Sequence, residues 1–136
     1  MCPIWSVMER RLERATDEVR LERVTDRPGL VAMQNAVEQV HVSEAVGYYI
    51  VDLVAATRTS QRVQVGASPR GALALLKLSR CRAALQGRDF VTPDDVKELV
   101  PAVLAHRVSL APEAEMEGLG LEDVLRRIFE KVEVPR

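Results

Sequence analysis

The chain has 136 residues, the size of one ordinary domain, and its 47% hydrophobic and 29% charged residues exclude a disordered protein. A net charge of -1 excludes a general attraction to nucleic acid or to an anionic membrane surface. Cys2 and Cys81 are too few for a disulfide framework, and there is neither a signal-peptide pattern nor an apolar run of ~20 residues, so we expect a cytoplasmic protein without a membrane span.

The first half of the chain predicts three helices. Apolar residues three or four positions apart predict an amphipathic helix from Ile4 to about Asp17, whose apolar face needs a partner surface. A turn cluster at Thr25–Gly29 and a short helix over 30–40 follow. Ser43 is suited to cap a third helix that ends near Ser60. Its predicted buried stripe is Val46, Tyr49, Ile50, Leu53, Val54 and Thr57.

A short extended segment, Val63–Val65, leads into the motif Gly66-Ala67-Ser68-Pro69-Arg70-Gly71. The helix that follows runs from Pro69 to about Gln86, and Gly87 is suited to end it in a left-handed conformation. We expect this helix to be central to the core, with Cys81 as a small buried hydrophobe. The residues predicted on its buried side are Leu73, Leu76, Arg80 and Ala83, broadened by Leu75, Leu78 and Leu85.

The last third of the chain begins with Thr92-Pro93-Asp94-Asp95, a typical helix start with an N-cap, a proline at the first helical position and acids in the first turn. Pro101 lies inside this helix and should kink it. A flexible link over 111–120 and a last amphipathic helix over 121–129 are predicted to follow. The buried stripe predicted for the helix after Thr92 is Val96, Leu99, Val100, Val103 and Leu104. The sum is an all-α fold with at most short extended segments.

The Gly66–Gly71 motif is the strongest candidate for a functional site. Ser68 can cap the next helix through its hydroxyl, and Pro69 suits the first helical position. Arg70 then lies in the first turn, where the helix dipole disfavours a cation unless an anion is bound there. From these residues alone, a plain turn with a solvated Arg70 stays the favoured alternative.

Other motifs point away from catalysis by this chain. The glycine spacing of Gly66–Gly71 is that of a phosphate-binding P-loop, but Ala72 and Leu73 stand where Lys and Ser or Thr are required. His41 and His106 have no ligand at metal-binding spacing on a shared helix, so no metal site is expected.

Charged residues elsewhere have a structural interpretation. Asp94 and Asp95 are better explained by helix capping than by acid–base chemistry. A basic flank on the helix after Pro69 is by default a solvated face, with an anion or partner surface as the alternative. Its members are Arg80, Arg82 and Arg88.

Several stretches, in order, closely resemble the C-terminal lid of MoxR-family AAA+ ATPases. They are the runs Val65–Leu75, Gly87–Lys97 and Val103–Arg107, preceded by Val51–Arg58, which resembles the family's preceding helix. The resemblance covers roughly Val24 to Arg136.

The resemblance implies an all-α helical bundle of the AAA+ lid type. In that family ATP binds between an α/β core and the lid, and the arginine of the motif is the sensor 2 residue, which is Arg70 here. It implies a nucleotide-binding loop made of Gly66, Ala67, Ser68, Pro69 and Arg70. ATP and Mg²⁺ are expected in the parent protein, a chaperone-like ring ATPase, with none tightly bound to this chain alone. The implied partners are the AAA+ core domain, neighbouring subunits of the ring and a von Willebrand A-domain protein.

The chain departs from the family in having no Walker A motif, no Walker B acidic pair and no recognisable sensor 1 or arginine finger. We therefore expect a fragment, in which residues 1–23 resemble the end of the missing core plus a linker and residues 24–136 form the lid. No ATP hydrolysis is expected from the chain alone. The alternative is a stand-alone helical module for protein interaction or regulation. A histone-fold-like nucleic-acid binder is a further alternative that the net charge of -1 disfavours.

Overall fold

The computed structural model describes residues 8, 9, 12 and 21–135, and the range 21–135 contains six α-helices and one two-stranded sheet. The helices are α1 (Arg27–Glu38), α2 (Glu44–Thr59), α3 (Pro69–Leu85), α4 (Pro93–Leu104), α5 (Pro112–Met116) and α6 (Leu121–Phe129). The strands β1 (Val63–Val65) and β2 (Ser109–Leu110) pair antiparallel, and Ala105–Arg107 forms a 3-10 turn after α4. The predicted all-α fold with short extended segments is confirmed.

The residues divide into two compact units, one up to Leu30 and one from Val31 onward. The helix predicted over Ile4–Asp17 lies outside the described residues except at Met8, Glu9 and Leu12, which are helical. In the first unit the predicted turn cluster is in fact a helix start. Asp26 Oδ1 accepts a hydrogen bond from the Gly29 N–H at 2.8 Å, as a capping side chain does.

The core lies in the second unit and is built from α2, α3, α4 and α6. Helix α3 packs against α2 and, most extensively, against α4. All six residues of the stripe predicted for α2 are buried. In α4 the predicted stripe is buried except for Leu99, which is half-buried, and the helix continues through Pro101.

The buried face of α3 differs from the predicted one. It consists of four residues at four-residue intervals, Gly71, Leu75, Ser79 and Ala83. Three of these are small, so the backbones of neighbouring helices can approach α3 closely, and the larger side chains are turned outward. Leu73 and Leu85 are therefore exposed, and the prediction of Cys81 as a buried side chain is wrong because it is only half-buried.

The predicted flexible link over 111–120 is also wrong, because it contains α5. Pro112 occupies the first helical position, and Ala114 is buried in a small cluster with Leu110 and Val124. Burial of this single alanine fixes a short helix that polar sequence alone does not predict. Gly118 ends it with φ +73°, a conformation that favours glycine.

The capping and stop signals predicted at the start of α2, the end of α3 and the start of α4 are confirmed. The Ser43 hydroxyl accepts the Val46 N–H at 3.3 Å, and Gly87 has φ +72°. Thr92 and Asp95 form a reciprocal capping box at the start of α4.

Among the residues that the structure describes, no helix is long and apolar enough to cross a membrane.

Candidate functional site

The loop between β1 and α3 is fixed against the C-terminal end of α2. Ala67, at its centre, is fully buried. Its N–H donates to Thr57 Oγ1 at 3.0 Å, and its carbonyl accepts from Arg58 Nε at 2.7 Å. The Thr57 hydroxyl in turn donates to the Val54 carbonyl at 2.7 Å. Two consecutive side chains of α2 thus satisfy both backbone polar groups of Ala67, as buried groups require.

A glycine is required at position 66 because a side chain would not fit there, and not because of the backbone conformation. A Cβ added there would lie 2.7 Å from Arg58 Cγ and 2.9 Å from both Cα and N of Arg58. Two of those three atoms are backbone and cannot move without displacing α2. Any side chain at position 66 would therefore push the loop away from the helix that holds it.

Gly71 serves the same purpose on the other side of the loop. A Cβ at this buried position would lie 3.1 Å from Leu104 Cδ2 and 3.5 Å from Ala67 Cβ. The glycine lets the first turn of α3 pack directly on the end of α4. Both glycines of the motif are thus explained by packing, in agreement with the rejection of a P-loop from the sequence.

Ser68 occupies the predicted N-cap position, but its predicted hydroxyl bond is absent: no side-chain cap hydrogen bond forms there. Instead the Gly71 N–H donates to the Ser68 carbonyl at 2.7 Å. This tight backbone turn satisfies the N–H that the hydroxyl was expected to bind. Pro69 takes the first helical position as predicted, and the Ser68 side chain is exposed.

Arg70 lies in the first turn of α3, where the sequence predicts it, and its side chain is exposed. It makes no hydrogen bond or ion pair with any residue that the structure describes, and the first turn contains no acidic residue. Arg107 is close by: its Cδ lies 3.8 Å from the position of an added Gly71 Cβ, and its Nε donates to the Val103 carbonyl at 3.2 Å. An exposed guanidinium is therefore presented at the positive end of a helix dipole without a carboxylate beside it.

The five predicted site residues, Gly66 to Arg70, are consecutive: Gly66–Ser68 form the loop, and Pro69 and Arg70 begin α3, with Arg70 exposed. Sequence reasoning missed the two residues that hold the loop, Thr57 and Arg58. One signal was present, because Thr57 is a polar residue in an otherwise apolar stripe and so requires a buried partner.

A second polar cluster lies at the other end of α3. Arg88 binds the buried Asp95 with both terminal nitrogens, at 2.8 and 2.6 Å, and the Asp95 side chain is only 4% exposed. Asp95 Oδ2 also accepts the Thr92 N–H at 2.8 Å. The hydrogen bonds from Arg88, followed by those from Thr92, lower the pKa of Asp95 to about 2 against the cost of burial.

The predicted solvated basic flank is therefore wrong. Arg80 pairs with Glu38 at 3.0 Å, and Arg82 pairs with Glu98. With Arg88 on Asp95, all three arginines bind carboxylates from other elements. The Arg82 and Arg88 pairs join α3 and the turn after it to α4, and the Arg80 pair joins α3 to α1, so all three are structural. Within residues 21–135 and the three described N-terminal positions, no cluster of three potential ligands could hold a metal ion.

Comparison with known proteins agrees with this geometry. Residues 55–128 match the family model described as AAA lid domain, which spans the end of α2, the loop, α3, α4 and nearly all of α6. The chain is 41% identical over 115 residues to the uncharacterized protein YeaC of Bacillus subtilis (strain 168), covering 85% of this chain and 36% of YeaC. It is 34% identical over 116 residues to Chaperone MoxR1 of Mycobacterium tuberculosis (strain ATCC 25618 / H37Rv), covering 79% of this chain and 31% of that protein.

A solved structure shares the fold. The crystal structure of a putative ATPase from Cytophaga hutchinsonii ATCC 33406 superposes with a TM-score of 0.83 at 28% identity, covering 98% of this chain and 43% of that one. The chain spans about a third of the length of the two curated relatives. The family match and the similar proteins confirm the resemblance seen in the sequence, and the chain belongs to the MoxR-family AAA+ lid domains.

Proposed function

We propose that this lid domain forms one wall of an ATP site whose other wall is an AAA+ core domain, and that Arg70 is its sensor 2 arginine. The observation that carries the proposal is the contrast between Arg70 and its surroundings. Its side chain is exposed and has no partner among the described residues, while the loop beneath it is held by Thr57 and Arg58. Such a fixed, unneutralised cation suits an anionic ligand.

The loop residues divide into two roles under this proposal. Ala67 cannot contact phosphate through its backbone, because its N–H and carbonyl are already bonded to α2. Arg70 and the exposed hydroxyl of Ser68 are then the groups that reach the nucleotide. Gly66 and Pro69 shape the loop, the first by close packing on Arg58 and the second by starting α3.

The chemistry follows from charge. Bound ATP with Mg²⁺ supplies the terminal phosphoryl group, and hydrolysis depends mainly on positioning and on stabilising negative charge. Arg70 supplies a charged donor whose backbone is held in place, since Thr57 and Arg58 bind the loop that precedes its helix. Most phosphate contacts and the Mg²⁺ ligands belong to the core.

The partners we propose are the AAA+ core domain and the neighbouring subunits of a ring, with a von Willebrand A-domain protein as a further partner. Membership of the MoxR-family lids supports the first two. A chaperone-like role is supported by the similarity to Chaperone MoxR1.

The test is a comparison of Arg70→Ala with wild type in a protein that carries both core and lid. Losing a charged donor from the terminal phosphate costs on the order of 2–4 kcal/mol of transition-state stabilisation, so turnover should fall about a hundredfold or more. ATP affinity should fall less. The matched control is Arg126→Ala, which removes another exposed arginine, on α6, and should leave turnover unchanged.

Stability must be measured in parallel. Because Arg70 contacts no described residue, Arg70→Ala should leave the melting temperature nearly unchanged. Normal ATP turnover in a correctly folded Arg70→Ala protein would refute the sensor 2 assignment.

A further inference from the structure

A second arginine, Arg107, lies against the first turn of α3. It ends the 3-10 turn Ala105–Arg107, which follows α4 directly. Its Cδ lies 3.8 Å from the position of a Cβ added at Gly71, the residue next to Arg70. Because Gly71 has no side chain, the aliphatic part of Arg107 can pack there. Arg70 and Arg107 therefore both lie at the first turn of one helix.

A backbone bond holds Arg107 in this position. Its Nε donates to the carbonyl of Val103, in the last turn of α4, at 3.2 Å. The bond satisfies one of the carbonyls that a helix end leaves unpaired. It uses only one N–H of the guanidinium, and the terminal nitrogens bond to no residue in the described part of the chain. A ligand that binds this held fork costs less side-chain entropy than one that must order a freely moving arginine.

No carboxylate neutralises either arginine. Both side chains are exposed, and neither forms an ion pair with a residue of the range 21–135. Other arginines of the chain do pair with carboxylates: Arg23 with Asp26, Arg80 with Glu38, Arg82 with Glu98, Arg88 with Asp95 and Arg126 with Asp123. Like charges held near each other repel, and a bound anion relieves that repulsion.

We propose that Arg107 is a second phosphate-binding residue of the nucleotide site, and that the lid binds linked phosphates in preference to a single one. The assignment rests on the proposed function, since it takes Arg70 to face the terminal phosphate. The free fork of Arg107 matches the oxygens of a neighbouring phosphate, to which it can donate parallel hydrogen bonds. Linked phosphates offer one anionic group to each guanidinium, whereas a lone phosphate offers only one in all.

Arg107 also has a purely structural interpretation, as the cation at the C-terminal end of α4. That role uses Nε alone and leaves the terminal nitrogens without a purpose. It predicts that substitution lowers stability and leaves anion binding by the folded protein unchanged. Variants that change charge and hydrogen bonding separately therefore distinguish the two roles.

The test is a titration of the full chain with inorganic tripolyphosphate at low salt, where screening of exposed charges is weak. Binding is followed by amide chemical shifts, and urea unfolding measures stability in parallel. Arg107→Gln removes the charge but keeps an N–H that can reach the Val103 carbonyl, and Arg107→Lys keeps the charge without the fork. The matched control is Arg127→Ala, which removes an exposed arginine on α6 that likewise has no ion pair with a described residue.

Wild type should bind tripolyphosphate with a Kd of about 1 mM, and orthophosphate about tenfold more weakly. Arg107→Gln and Arg70→Ala should each weaken tripolyphosphate binding about tenfold, the effect of losing one charged pair of hydrogen bonds. Arg107→Lys should recover part of the loss and bind about threefold more weakly than wild type. Arg127→Ala should bind like wild type.

Arg107→Gln that folds and binds tripolyphosphate like wild type overturns the assignment. So does a wild type that binds no tripolyphosphate at millimolar concentrations, or one that binds orthophosphate equally well. Equal losses in Arg107→Gln and Arg127→Ala would mean that only overall charge matters, which also overturns it. The proposed function is tested separately, by turnover of Arg70→Ala in a protein with core and lid. Lost turnover there, with unchanged tripolyphosphate binding by Arg107→Gln, would overturn the role of Arg107 alone.

Discussion

Replacing Asp95 by asparagine should destabilise this domain more than any other single exchange of a carboxylate for its amide among the described residues. The Asp95 carboxylate is 4% exposed and accepts two hydrogen bonds from Arg88 at 2.8 and 2.6 Å. It also accepts from the Thr92 N–H at 2.8 Å and from the Thr92 hydroxyl at 2.9 Å. One side chain thereby joins the end of α3 to the start of α4.

The magnitude follows from the pKa of Asp95. Its value falls from 3.8 to about 2 on folding, chiefly through the hydrogen bonds from Arg88. At about 1.4 kcal/mol per pKa unit, the ionised carboxylate contributes about 2 kcal/mol to the free energy of unfolding. Asparagine keeps an oxygen for the Thr92 N–H but loses the charge, so we expect a loss of about 2–3 kcal/mol. Alanine should cost about 1 kcal/mol more, because the cap is lost as well.

The pH dependence has a definite sign. A carboxylate whose pKa is lowered by folding contributes its full stabilisation above its unfolded pKa, here 3.8. As the pH falls below that value the unfolded chain takes up the proton first, and the contribution is lost as the pH approaches about 2. The stability difference between wild type and Asp95→Asn should thus be constant above about pH 5 and shrink toward zero between about pH 4 and pH 2.

Urea unfolding at a series of pH values measures this difference. The matched control is Asp94→Asn, in the same first turn of α4 but exposed, which should cost only a few tenths of a kcal/mol through the helix dipole. Equal effects of the two substitutions at pH 7 would contradict the reasoning. So would a difference for Asp95→Asn that persists unchanged at pH 2.

Two further predictions concern the loop before α3. Gly66→Ala should destabilise the domain by about 1–3 kcal/mol, because its Cβ would overlap the Arg58 backbone. Gly47→Ala in α2 should stabilise it by up to about 1 kcal/mol, since no atom lies within 4 Å of a Cβ added there. Thermal melts of both proteins check this pair. Thr57→Val should cost about 1–3 kcal/mol by leaving the buried Ala67 N–H without its acceptor, and faster hydrogen exchange at that amide should accompany the loss. An unchanged exchange rate at Ala67 would count against the clamp.

The features that sequence predicted best are those decided within one or two helical turns. The apolar period of α2 placed its whole buried stripe, and the Thr92 to Asp95 spacing placed a capping box. Gly87 ended a helix in the left-handed conformation as its position implied. In each case the residues that interact are close in sequence, so the local sequence pattern is enough to predict their contact.

The features that sequence missed depend on contacts between elements. The bond from Arg58 to Ala67 and the pair of Arg88 with Asp95 join residues seven to nine positions apart across a chain reversal. Periodicity gives no information about such partners. It also misassigned α3, where the apolar period placed Leu73 on the buried side and left out Gly71, although the close approach of Leu104 requires the glycine.

The candidate site divides in the same way. The cap, proline and arginine at 68–70 placed Arg70 correctly in the first turn of α3, and resemblance to the MoxR lids supplied its proposed role. Neither source indicated that Ala67 is bonded through both its polar groups. Under the proposed function, that bonding separates the residues that would contact a nucleotide from those that shape the loop.

The C-terminal end of α2 connects the loop before Arg70 to a cleft between this helix end and α6. Thr57 and Arg58 hold the loop that carries Arg70, and the next residues, Thr59 to Arg62, line the cleft. Ala67 is bonded to this helix end through both its N–H and its carbonyl, so it cannot move independently of it. Any molecule bound in the cleft that shifts the last turn of α2 must therefore move the loop as well. A molecule that leaves this turn in place cannot affect Arg70 through it.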